Sequence, residues 1–68
     1  MDMEQYLLRR LDSLAERKMY YLHIGDRDKY MYAGGGLSEV AFTLSNLNSD
    51  KYANGVDLIT EYERKHLR

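Results

Sequence analysis

The chain has no cysteine among its 68 residues. Disulfides, thiolate metal sites and thiol catalysis are therefore excluded. Imidazole is almost as scarce: His23 and His66 are the only histidines, too few for the usual closed zinc site. No apolar run approaches the roughly 20 residues that span a bilayer. The N-terminus carries Asp2 and Glu4 and no small-residue cleavage site, so it does not read as a signal peptide. Neither sign of charge dominates: ten basic and eleven acidic residues leave a net charge of −1. Such a chain has no overall field to hold nucleic acid or an anionic membrane. These absences point to a cytoplasmic protein without cofactor or membrane, folded as one domain over residues 1–68.

Small size adds a second constraint. A domain this short buries only about 60% of the surface its unfolded chain exposes. Disulfides, metals or a partner subunit commonly stabilise such scaffolds. With the first two excluded, a homodimer is the expected remedy.

Tyrosine is what the chain has in surplus. There are seven, and Tyr20, Tyr21, Tyr30 and Tyr32 crowd into one central stretch. There Met19-Tyr20-Tyr21-Leu22-His23-Ile24 and Lys29-Tyr30-Met31-Tyr32-Ala33 flank Gly25-Asp26-Arg27-Asp28. Tyrosine and isoleucine suit pleated surfaces, and the intervening residues have turn chemistry. The stretch therefore reads as two antiparallel strands, 19–24 and 29–33. With Asp26 and Arg27 at the centre of the turn, Tyr20, Leu22, Ile24, Met31 and Ala33 form the core face. Met19, Tyr21, His23, Tyr30 and Tyr32 form the other face, since successive strand residues alternate sides.

Helices surround this hairpin in the expected order. Residues 3–17 carry an apolar stripe of Leu7, Leu8, Leu11, Leu14 and Ala15, with Asp2 as cap and Gln5 placed for a capping box. Gly34-Gly35-Gly36 breaks the second strand and leads into a helix whose stripe is Leu37, Val40, Ala41, Leu44 and Leu47. Phe42 lies off that stripe, in a position to touch a neighbouring element or a partner. Asn46 to Asp50 ends the helix in a polar loop. Asn54 caps a third helix, with Asp57 placed to reach back, Ile59 and Tyr62 on its inner face, and Glu61 one turn before Lys65. The expected fold is thus a small α+β domain of order α-β-β-α-α. Its antiparallel hairpin sheet is packed by helices, and edge pairing between two copies would make it four-stranded.

No motif for catalysis stands out. The triple glycine precedes a helix, as in phosphate-binding loops, but Leu37-Ser38-Glu39 follows where a Lys-Ser or Lys-Thr pair is needed. Glu39 also places negative charge where an anion would sit. His23 with Asp26 or Asp28 lacks a serine or cysteine nucleophile beside it. The second and third helices are separated by too long a segment for a helix-turn-helix, and Asp57 and Glu61 would repel phosphates. The basic run Arg64-Lys65-His66-Leu67-Arg68 is well explained as cations at a helix C-terminus.

The sequence therefore reads as a non-enzymatic protein-interaction module of inhibitor or adaptor type, self-associating through an aromatic sheet face. Tyr21, Tyr30 and Tyr32 are the expected contacts, with His23 and Phe42 beside them, because tyrosine supplies rigid area and a hydroxyl at interfaces. The alternative is a small single-stranded nucleic-acid binder that stacks bases on the same tyrosines and draws phosphates with Arg27 and Lys29.

Overall fold

Asp2 begins the first element, its Oδ1 accepting the Gln5 N–H at 2.8 Å. In the computed structural model, which describes residues 2–68, the helix so capped does not end at residue 17. It continues through the tyrosine stretch as α1, Met3–Ile24. The reason is visible along its length. Leu7, Leu11, Leu14, Ala15 and Met19 recur at helical spacing and are all buried.

Gly25 then stops the helix. Its φ of 77° is left-handed, a conformation open to glycine at little cost. The Asp26 N–H reaches the Tyr21 carbonyl at 2.9 Å and the Gly25 N–H reaches the Leu22 carbonyl at 3.3 Å. This pair of bonds is the Schellman arrangement. Asp26 at once caps the next helix, its Oδ1 accepting from the Lys29 N–H at 3.2 Å. That helix, α2, runs from Arg27 to Leu47. The turn chemistry around Gly25 is therefore real, but it joins two helices.

The expected α+β fold is overturned: among the described residues there are three helices and no strand. Neither the hairpin sheet nor its four-stranded extension by a second copy exists. The two-face assignment goes with it. Of the expected core face only Ala33 is buried, while Tyr20, Leu22, Ile24 and Met31 are exposed; Met19, placed on the opposite face, is buried. The triple glycine does not break α2. Each glycine costs about 1 kcal/mol relative to alanine in a helix interior. The burial of Ala33, Leu37, Val40, Ala41 and Leu44 on both sides of it offsets that cost.

After the loop at 48–54, α3 spans Gly55–Lys65. Asn54 caps it as expected, Oδ1 accepting from Val56 N–H at 2.9 Å and Asp57 N–H at 3.3 Å. Leu58 enters the core, and Ile59 and Tyr62 pack against it. Val56 and Leu47 remain exposed.

Polar contacts fasten α3 and the loop before it along α1. Glu4 accepts from Lys51 at 3.1 Å and from Tyr52 at 3.0 Å. Asp12 lies 2.8 Å from Lys65 Nζ and 2.9 Å from His66 Nε2. Lys65 thus pairs with α1, and not with Glu61 one turn back. Lys18 bonds Glu63, and its stem lies over Gly34, where a Cβ would sit 3.4 Å from Lys18 Cε. These pairs shift the groups involved. The bonds from Lys65 and then His66 hold the Asp12 carboxyl below its usual range. Lys51, then Tyr52, does the same for Glu4. Burial, and then the bond to Glu4, pushes the Tyr52 hydroxyl up.

Candidate interaction surface at the hairpin tip

Helix lengths decide where the surface lies open. At about 1.5 Å per residue, 22-residue α1 and 21-residue α2 are each roughly 32 Å long. The 11 residues of α3 reach only about 16 Å. Since α3 follows the loop at the α2 C-terminus, it covers the end of the hairpin where α1 begins. Its last contacts with α1 are Asp12 and Lys18, with Arg68 of the tail over the Tyr20 ring at 5.4 Å. Beyond them the hairpin is two helices thick.

Apolar side chains at that end have no third layer to enter. Leu22, Ile24 and Met31 are more than half exposed, and Tyr32 is 87% exposed. Tyr21 and Tyr30 are half-buried between the helices. Each ring has a neighbour that holds it: Tyr20 meets Tyr21 edge-on at 5.7 Å, Lys29 Nζ lies 5.8 Å from the Tyr21 ring, and Lys18 Nζ lies 5.2 Å from the Tyr30 ring. An open concavity of about 430 Å³ lies here, walled by Tyr21, Leu22, Tyr30 and Met31, with Gly25 to Arg27 at its end.

Of the residues expected to bind a partner, the structure brings Tyr21, His23, Tyr30 and Tyr32 to this tip and separates Phe42 from them. His23 is exposed in the last turn of α1. Phe42 stands ten residues, or about 15 Å, down α2 from Tyr32. Its ring rests on the first residue of α3: a Cβ at Gly55 would fall 2.5 Å from Phe42 Cδ1. Phe42 thus seats α3. Arg27 and Lys29, the cations of the nucleic-acid alternative, are also at the tip, interleaved with Asp26 and Asp28. Lys29 is engaged locally, 4.0 Å from Asp26 and beside Tyr21.

The residues that sequence reasoning missed are Leu22, Ile24 and Met31, assigned to a core that does not extend this far. The missed signal is the length mismatch between the two long helices and the short third one. Among the described residues no group of three or more His, Asp or Glu side chains is placed to hold a metal ion. None of their helices is long and apolar enough to cross a membrane. No family model, curated protein or solved structure matches the chain.

Proposed function

We propose that this chain is a non-enzymatic protein-interaction module, of inhibitor or adaptor type, acting in the cytoplasm through the free end of its helical hairpin. One observation carries this reading: Leu22, Ile24, Met31 and Tyr32 are all exposed at the end that α3 leaves uncovered, and Leu22 and Met31 line one concavity there. Scattered exposed apolar residues are ordinary, but a contiguous patch marks an interaction site. Half-buried tyrosines framed by aliphatic side chains match the composition of interface cores. The cytoplasmic placement rests on the absent cysteine alone. Self-association through this end would supply the stabilising partner that so small a domain needs.

The test is absolute mass by light scattering on a sizing column, at low and high salt, for the wild type and a Leu22→Ser/Met31→Ser variant. Both sites are exposed, so the variant should keep the wild-type helix content. The reading expects assembly, with itself or with a captured protein, that the variant loses. Retention of all binding by the folded variant contradicts the reading. Capture of single-stranded nucleic acid that collapses steeply with salt would favour the competing occupant, because phosphate contacts release counterions.

A further inference from the structure

The uncovered part of the hairpin continues into a groove between α1 and α2 that no residue of α3 lines. Along α1 its wall carries Arg10, Leu14, Arg17 and Tyr21, spaced as one helical stripe. Along α2 the wall carries Asp28, Tyr32, Gly35 and Glu39, at the same spacing. Arg17 and Asp28 line one stretch of the groove, and Arg10 and Glu39 line the next. So one wall bears two cations and the other two anions along the same two stretches, Arg10 nearly level with Glu39 and Arg17 about 7 Å nearer the base than Asp28. All four are exposed, and none forms an ion pair within its own chain among the described residues. Lys29 also borders the groove, but it is turned toward Asp26 and the Tyr21 ring.

Resting on the interaction-module reading, we propose that the groove is occupied by a second copy of this chain, related by a two-fold axis parallel to the hairpin. Charge signs select this arrangement over its rival. A two-fold axis along the hairpin lays α1 of one copy on α2 of the other at equal height. Arg10 then meets the partner's Glu39, and Arg17 shares its stretch with the partner's Asp28. Every contact occurs twice, as in any isologous pair. A two-fold axis across the hairpin stacks α1 on α1 and α2 on α2. Arg10 would then face an arginine and Asp28 a glutamate, which is repulsive throughout.

The floor of the groove admits a partner helix. Gly35 is exposed, and a Cβ there would meet nothing of its own chain within 4 Å. Leu14 and Tyr32 supply the apolar contact. The groove runs from Arg10 to Tyr21 and from Asp28 to Glu39, about 17 Å, and is two helices wide, roughly 18 Å, which offers on the order of 300 Å² per copy. That is less than half of the about 800 Å² each partner contributes to a specific stable interface, so the pairing is weak and leans on its charges. The dimer is therefore concentration-dependent and weakened by salt.

The experiment is sedimentation velocity at low salt on two charge-reversed chains and their mixture. Arg10→Glu/Arg17→Glu makes both walls acidic; Asp28→Lys/Glu39→Lys makes both basic. The expected result is a wild-type dimer, at least about tenfold weaker self-association of each reversed chain, and a dimer regained on mixing them one to one. Circular dichroism of each chain checks folding. If Asp28→Lys disturbs the start of α2, the pair Arg10→Glu and Glu39→Lys repeats the test without it. A wild type monomeric at all concentrations overturns the proposal, as does a mixture that stays monomeric. A wild-type dimer indifferent to charge reversal but lost in Leu22→Ser/Met31→Ser overturns the groove while leaving the tip reading intact.

Discussion

The two ends of this molecule are built from the same pair of helices and behave differently. At the base, α1 and α2 meet α3, and Leu11, Leu37 and Leu44 are fully buried. At the tip the same helices carry Leu22, Met31 and Tyr32 into solvent. The base is closed by leucines and ion pairs, whereas the tip has tyrosines and flexible methionine. What separates them is the reach of an 11-residue helix along a hairpin twice its length. Stability is therefore concentrated at one end, and the apolar surface left over is concentrated at the other.

Substitutions sharpen that contrast. Leu11→Ala or Leu44→Ala at the base should cost about 2–5 kcal/mol, the usual loss for a leucine truncated in a packed core. Met31→Ser at the tip should change stability by no more than about 0.5 kcal/mol, as for other surface positions. Urea unfolding of the three variants checks both. An equal loss at the two ends would erase the distinction. Lys18→Met removes the cation that ties Glu63 of α3 to the hairpin. A loss of about 1.5 kcal/mol is expected, as for a hydrogen bond to a charged partner. Amides of α3 should exchange faster in this variant.

Glycines give a smaller effect whose sign depends on position. Gly35→Ala should raise stability by about 0.5–1 kcal/mol, since the added Cβ meets nothing in the chain and alanine is the better helix former. Gly55→Ala should lower it, because Phe42 must move aside. Gly25→Ala should also lower it, because φ is 77° there. Thermal melts order the three, and a stabilised Gly55→Ala would mean that Phe42 does not seat α3.

The smallest expected effect is a pH dependence confined to the base. Asp12 and Glu4 titrate below their ordinary values of 3.8 and 4.5 in the folded chain. The unfolded chain thus binds their protons first as pH falls. Their contribution is present above those ordinary values and is lost as pH drops through the lower folded ones. Asp12→Asn should flatten the acid limb of stability against pH. An unchanged limb would show that the Lys65 and His66 contacts contribute nothing measurable.

Much of the base was legible in the sequence. Asp2, Asn54 and the polar loop after α2 announce where helices start and stop, and the stripe from Leu37 to Leu44 packs as its spacing implies. The tip was misread because its local signals fit two structures. Tyrosine and isoleucine favour strands, and a glycine followed by aspartate ends a strand as readily as it ends one helix and caps the next. Tertiary packing decided between them. Leu11, Ala15 and Met19 continue one helical stripe, and Ala33 and Leu37 continue another straight across the glycines. The chain contains no proline to interrupt either helix. Tyr21, Tyr30 and Tyr32 do share one region, yet their neighbours Leu22 and Met31 became visible as surface only once the reach of α3 was known.

Backbone hydrogen exchange, measured at dilute and at concentrated protein, tests the contrast between the ends most directly. The account predicts that amides of residues 20–32 exchange faster than those around Leu11 and Leu44 when dilute, and slow selectively as concentration rises. Equal protection of tip and base at every concentration would contradict it.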